Sequence, residues 1–475
     1  MEMPYLRSPR FLFIAILIFS LLLRWGLVIH GGQFFNPDEY LYQYSRIIAK
    51  DIQNGHYTDA LTEGTNSAGH MGFKIIGVLP ALVEEKFGEN ALIPAFFFST
   101  FSLFNISIIW FLALKLGADE KEALWAVVLV SSSNALFYYS SHLFPYDIAL
   151  TFGLATLYLA AQKYTGIWIS VLTGILGFLT FFTYNGYWTL AAFAIIVHIF
   201  LPAKIHLRLL YKSILTTIGF AAPFIFIVLL SRRFGNDLLI SYSTFSKTIT
   251  NGLFSEGGSI PFKYLWSTEY SILIIWLSLT LFSFTTLMKA RPDRIIIWLA
   301  GLIFIYGCLV VSSVVLHKFV VYGRLARQLV PFLALASGYS LRLIQERWRW
   351  GIIILTIFLA VVIVQTGINF RRPFQLIYPT DFANDVRKLY PDFDPPKNMT
   401  FFYTPNIIDV GNYKAYYVKY VFPLPERDVP IEGELLMSAE NPLSSFPPFR
   451  FDEGFPPNVR TFFPVINMMV TRINE

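Results

Sequence analysis

The chain reads as an α-helical polytopic membrane protein with about eleven transmembrane helices, interfacial helices in its first outer loop, and a small C-terminal α/β domain outside the membrane. Composition supplies the first reason. Of 475 residues, 55% are hydrophobic and 14% charged, against roughly 25% charged in a soluble chain, and mean hydropathy is +0.54. The second reason is that apolar runs of membrane length recur between short polar linkers. The third is that alternate linkers are basic, which sets the sidedness. A net charge of +6 does not point to nucleic acid, because Lys and Arg are scattered in short clusters and form no stripe. The single cysteine, Cys308, excludes an intrachain disulfide and a cysteine-based zinc site.

The run Phe11 to His30 follows Arg7 and Arg10 and contains Arg24. Its length and the lack of a small-residue cleavage pattern favour an uncleaved anchor, with the N-terminus in the cytoplasm. Residues 31–88 are mixed, with amphipathic segments at Tyr40 to Lys50 and Met71 to Glu84 suited to the interface. Further spans are expected near 90–114, 122–139, 146–162, 167–183, 186–201 and 212–230. After a polar segment at 231–268 come spans near 269–288, 294–316, 325–343 and 351–369. The inward linkers carry Lys115 and Lys121, then Lys163, then Lys204, Arg208 and Lys212, then Lys289, Arg291 and Arg294, and last Arg342, Arg347 and Arg349. Every inward linker is therefore basic.

An odd number of spans places residues 370–475 outside. The chain thus divides into a membrane domain, 1–369, and an extracytoplasmic domain, 370–475, large enough for its own core. That second part is rich in Pro and aromatics and has β-like runs such as Ala415-Tyr416-Tyr417-Val418.

With this topology the outer side collects the polar residues that have no obvious place near a bilayer. Asp38 and Glu39 stand in Asn36-Pro37-Asp38-Glu39. Asn36 suits an N-cap, Pro37 the first helical position, and Glu39 completes a capping box, so Glu39 has both a structural and a catalytic reading. Asp38 has only a modest dipole role to explain it. Asp147, in His142-Leu143-Phe144-Pro145-Tyr146-Asp147, heads an apolar helix on the same side. His70 and Lys74 share a helix face, and Lys74 suits either a phosphate or lipid headgroups. Tyr184-Asn185 marks another outer turn. The last one carries His317, Lys318, Tyr322, Arg324, Arg327 and Gln328 before a helix with Pro331. Cations on the outer side run against the usual bias, so their natural partner is an anion, a ligand phosphate or bulk lipid. Arg24 either snorkels outward or faces a carboxylate such as Asp147.

The order and sidedness of these residues resemble the C-type glycosyltransferase superfamily, nearest its protein O-mannosyltransferase and aminoarabinose transferase branch. The resemblance covers about residues 1–345 and rests on the acidic pair of the first loop, the interfacial helices, the acid heading a later span and the Arg-rich turn before a Pro-containing helix. It implies a polyprenyl-phosphate sugar as donor and a glycan, lipid or protein as acceptor, with hexosyl or pentosyl transfer. Asp38 would be the base, Asp147 the second acid, with Glu39 beside Asp38. Lys74, Arg324, Arg327 and Lys318 would hold the donor phosphate. His70, His142, Tyr146, Asn185, Tyr322 and Gln328 would line the substrate site. The tandem β-trefoil insert of protein O-mannosyltransferases is absent, which weakens the case for a protein acceptor. So is the metal-binding Asp-x-Asp pattern of the oligosaccharyltransferase branch, so no metal or other cofactor is expected. A divalent ion between Asp38, Asp147 and the phosphate is the alternative. A secondary transporter or lipid flippase for an anionic or glycolipid substrate is the competing class. Its charges would belong near the bilayer midplane, not at the rim.

Overall fold

A computed structural model describes residues 8–30, 41–88, 90–162, 166–201, 206–250, 257–269, 271–290, 293–319, 321, 323–347, 360 and 364, together with four short strands near the C-terminal end. Sixteen helices are described: α1 Pro9–His30, α2 Leu41–Gln53, α3 Tyr57–Thr65, α4 Met71–Phe87, α5 Leu92–Lys115, α6 Glu120–Ser132, α7 Asn134–Phe137, α8 Tyr146–Ala160, α9 Ile167–Thr183, α10 Trp188–Phe200, α11 His206–Arg233, α12 Leu238–Thr250, α13 Ile260–Glu269, α14 Ser271–Ala290, α15 Asp293–Val310 and α16 Val330–Arg347. Four of these segments, at Pro9–Ile29, Leu92–Lys115, Leu209–Arg233 and Arg294–Val315, are long and apolar enough to cross a membrane. The expected spans up to 325–343 each coincide with helix, and the amphipathic pair of the first loop is α2 and α4. The short helix α3 between them escaped the sequence reading, as did α12 and α13 in the polar segment.

The bundle is apolar outside and partly polar inside, the inversion expected when lipid surrounds it. Phe19, Leu22 and Ile29 of α1 and Ile225, Phe226 and Leu229 of α11 are exposed, whereas Ser99, Ser102 and Asn105 of α5 and Thr173 and Thr180 of α9 are buried. These inward hydroxyls are satisfied by their own helices, as in Thr173 to the Ile169 carbonyl at 2.7 Å and Thr180 to the Leu176 carbonyl at 2.8 Å. Where α9 crosses α11, Gly174 and Gly219 bring the two backbones together, and a Cβ on either would collide with the facing helix.

One end of the bundle is tied by ion pairs. Arg342 donates to Asp119 at 2.6 Å and lies 2.7 Å from Glu346, and Arg294 grips Glu122 with two bonds of 2.9 Å. Asp119 also caps α6, accepting from the Glu122 amide at 2.8 Å. Before it, α5 stops at Gly117, whose φ of +88° suits the left-handed residue that closes a helix. Hydrogen bonds to Asp119 hold its carboxyl below the usual range despite partial burial.

The expected span 122–139 is corrected in one respect. It breaks at Ser133, which is extended (φ −66°, ψ 119°), and resumes as α7 and then a 3-10 turn, Tyr138–Ser141. Similarly, the span 294–316 ends in a π-helical turn, Val311–Val315, and the span 325–343 begins with a 3-10 segment, Gly323–Leu329, before α16. Near the C-terminal end, β1 Met399–Phe402, β2 Leu435–Ala439, β3 Arg460–Phe463 and β4 Met468–Arg472 form a sheet of order β1-β2-β4-β3. Strands β1 and β2 pair in parallel and the other two pairs are antiparallel. The expected strand at 415–418 and the boundary at 369/370 lie outside the described residues.

Candidate functional site

The break at Ser133 exists because a distant carboxylate fills it. Glu269, fully buried at the end of α13, accepts from the Ser133 hydroxyl at 2.6 Å, the Ala135 amide at 2.9 Å and the Asn134 amide at 3.2 Å. It thereby satisfies amides that a new helix start leaves open. With α7 so oriented, its carbonyls face Arg327. The Arg327 guanidinium, 0% exposed, donates from Nε to Ala135 O at 2.9 Å and from Nη2 to Leu136 O at 3.3 Å and to Asp147 Oδ1 at 2.5 Å. Its Nη1 is buried and has no hydrogen-bond partner.

Asp147 sits in the first turn of α8, and its main-chain carbonyl is held by Asn105 Nδ2 at 3.1 Å and Thr151 Oγ1 at 2.8 Å. The sequence placed Asp147 and Arg327 on one side of the membrane; the structure joins them as an ion pair. Arg24 is also buried, at 1% exposed, lying 4.9 Å over the Phe137 ring. It acts on Asp147 only through its charge, while its Nη1 donates to Ser20 O at 3.3 Å. Snorkelling outward is therefore not what Arg24 does.

Tyr146 is the hub around this pair. Arg324 lies 5.6 Å and Arg327 5.5 Å over its ring, and Phe144 stacks on it at 5.0 Å. Tyr184 packs edge-on at 4.9 Å, and His70 in turn lies 5.0 Å from Tyr184. His70 has φ +52°, an unusual left-handed conformation for a residue with a side chain, at the head of α4. His142, 5% exposed, is 5.8 Å from Phe144. Asn185 is buried in the turn after Tyr184. Gln328 is used within the fold: it accepts from Thr189 at 2.8 Å and the Leu190 amide at 3.3 Å, and donates to Gly186 O and Leu325 O at 3.2 Å. Lys318 is exposed, and among the described residues no side-chain contact brings it to this cluster. Asp38, Glu39 and Tyr322 lie outside the described residues.

Lys74 comes one turn after His70, whose carbonyl accepts its amide at 3.2 Å. The helix carrying it is fixed against α2 by a buried bidentate pair, Arg46 to Glu84 at 2.7 and 3.0 Å, with Tyr42 adding a 2.8 Å bond to the same carboxylate. The ammonium is 2% exposed and 4.1 Å from the Tyr44 ring centroid, with no carboxylate hydrogen-bonded to it among the described residues. Burial lowers it to about 8, and the charge of Glu63 resists the fall.

A phosphate held by Lys74 needs the ammonium. The charged form predominates below pH 8 and is lost as pH rises through it, so donor affinity is expected to be flat near pH 7 and to fall by about tenfold per pH unit above 8. A Lys74→Arg variant is expected to stay flat to pH 10. A flat wild-type binding profile would remove Lys74 from the phosphate site. Stability moves the other way, because the folded chain binds fewer protons than the unfolded chain between about 8 and 10.5.

Glu269 and Tyr139, whose ring lies 5.1 Å from the Arg327 guanidinium, escaped the sequence reading. The signal for Glu269 was present, since a lone carboxylate heading an apolar run is the same pattern that singled out Asp147.

No family model matches the chain, and no curated protein matches it. Solved structures do. ArnT from Cupriavidus metallidurans bound to undecaprenyl phosphate superposes with a TM-score of 0.54 at 11% identity, over 90% of this chain and 93% of that one. The archaeal oligosaccharyltransferase AglB from Archaeoglobus fulgidus, in complex with an inhibitory peptide and a dolichol-phosphate, gives 0.49 at 11% identity, over 88% of this chain and 61% of its own. The chain shares the fold of ArnT.

Proposed function

We propose that this chain is an integral membrane glycosyltransferase that moves a sugar from a polyprenyl-phosphate donor to an acceptor hydroxyl on the outer face of the membrane. The observation that carries this reading is the excess of buried cation at one end of a GT-C bundle. Among the described residues, Arg327 presents an unpartnered Nη1 and Lys74 an ammonium 4.1 Å from the Tyr44 ring with no carboxylate hydrogen-bonded to it, and buried charge without an anion is costly. A phosphate diester supplies the missing charge. The undecaprenyl phosphate bound to ArnT supports that ligand class.

In the reaction, Asp38 takes the proton of the acceptor hydroxyl as its oxygen attacks the anomeric carbon. The bond from that carbon to the phosphate oxygen breaks, and its electron pair leaves with the phosphate. Arg327, Arg324 and Lys74 stabilise the departing charge, with exposed Lys318 at the rim of the same site. One displacement inverts the anomeric centre, and no metal is required. Asp147 holds Arg327 in place, with Glu39 beside the base. The N-terminus lies in the cytoplasm, and residues 370–475 form a separate outer domain.

Replacing the proposed base tests this directly. Asp38→Asn is expected to lower transfer by about a hundredfold or more with membrane insertion and thermal midpoint unchanged. Transfer near the wild-type rate by purified variant would remove Asp38 from the base position.

A further inference from the structure

Behind Tyr184, on the side away from Arg327, lies a second group of buried polar atoms. Tyr184 is extended, with φ −144° and ψ 104°, between the end of α9 at Thr183 and a 3-10 turn that starts at Asn185. The ring goes to Tyr146, Tyr187 and His70. Thr183 turns toward α4, where Gly72 makes room: a Cβ there would stand 2.8 Å from Thr183 Oγ1. Asn185 turns toward Tyr242 of α12, close enough to act on the Tyr242 hydroxyl, yet neither polar atom of its amide meets hydrogen-bond geometry.

Thr183 Oγ1, Asn185 Oδ1, Asn185 Nδ2 and the Tyr242 hydroxyl are all shut off from solvent without a hydrogen-bond partner. Thr183 is 0% and Asn185 8% exposed. A buried polar group left unpaired costs about 1–3 kcal/mol, so these four atoms, carried by Thr183, by Asn185 two residues on and by the Tyr242 that Asn185 acts on, call for an occupant that bonds to them. Met71, Phe178, Phe182 and Leu238 belong to one apolar cluster with Tyr242 packed on it, and Phe181 stacks on Tyr242 at 6.1 Å. Hydroxyl donors and acceptors set in aromatic and aliphatic walls match a sugar ring, with its polar rim and apolar faces. The influences on the Tyr242 hydroxyl are burial and Asn185, with no ionised side chain among them.

Resting on the glycosyltransferase reading, we propose that Thr183, Asn185 and Tyr242 form the subsite that reads the hydroxyls of an uncharged sugar on the donor lipid, next to the Asp147–Arg327 phosphate end and divided from it by the Tyr184 ring. Among the described residues, Thr183, Asn185 and Tyr242 bring no carboxylate to an amino sugar and no cation to a uronic acid.

The test is binding by the purified full chain in nanodiscs, with undecaprenyl phosphate, undecaprenyl-phosphate mannose or glucose, and undecaprenyl-phosphate aminoarabinose as probes. Wild type is expected to bind a hexosyl lipid about tenfold or more tighter than the bare phosphate, and the aminoarabinosyl lipid no tighter than the bare phosphate. Tyr242→Phe and Asn185→Leu are each expected to remove most of the hexosyl gain and leave the Kd for undecaprenyl phosphate unchanged. Unchanged hexosyl affinity in both variants, equal losses for all probes, or preference for the amino sugar would overturn the subsite. Failure of wild type to bind any of the probes would instead bring down the glycosyltransferase reading on which the subsite rests.

Discussion

Arg327→Leu is expected to abolish transfer and to destabilise the folded chain by about 3–5 kcal/mol, the usual cost of breaking one side of a buried ion pair. Arg327 has no solvent exposure, and its removal strands the Asp147 carboxylate and the carbonyls of Ala135 and Leu136 together. None of these groups can turn to water. The double variant Asp147→Asn with Arg327→Gln keeps hydrogen-bonding capacity while removing both charges, and is expected to recover most of the stability. It is not expected to recover transfer, because the cation proposed to face the leaving phosphate is gone. Thermal midpoints in detergent with single-turnover rates separate the two effects. Recovery of both by the double variant would mean that Arg327 is purely structural.

Glu269→Leu is the second change expected to be severe. It leaves a hydroxyl and two main-chain amides buried and unpaired, at about 1–3 kcal/mol each, and it frees α7 to rotate. Because α7 carries the carbonyls that fix Arg327, Glu269 is a positioning residue. Glu269→Gln retains a carbonyl oxygen for the same donors, and its thermal midpoint is expected to stay within a few degrees of wild type. The readout that a merely structural role would not move is the rate at saturating donor, measured in Glu269→Gln after stability is matched. A fall in that rate of about tenfold, with donor Kd unchanged, is expected from small misplacement of Arg327. An unchanged rate would confine Glu269 to the fold.

Much of the fold was legible because lipid imposes a simple rule on sequence. Helices α1, α5 and α11 announce themselves by apolar length, and α2 and α4 by the spacing of their apolar residues. The break at Ser133 was not legible, since its cause is a carboxylate 136 positions downstream. The site was legible as a set of residues on one side, and less so as an arrangement. Arg327 and Asp147 both stood out, but nothing local says that residues 180 positions apart hold each other. Gln328 looked like a ligand group from its neighbours in sequence, whereas the structure shows both ends of its amide engaged by the turn at 186–190 and by Leu325. Tyr242 lay in a polar stretch with no pattern to mark it, and only its packing on Phe181 and its nearness to Asn185 give it meaning.

The central claim is that the buried cations of this ArnT-like bundle serve a lipid-linked sugar phosphate. It is tested most directly by incubating the purified full chain with radiolabelled undecaprenyl-phosphate hexoses and a membrane extract, then following the label. The account predicts transfer of label to an acceptor with inversion at the anomeric carbon, dependent on Asp38 and Arg327. Label that stays on the donor lipid, or is released as free sugar without an acceptor product, would contradict it.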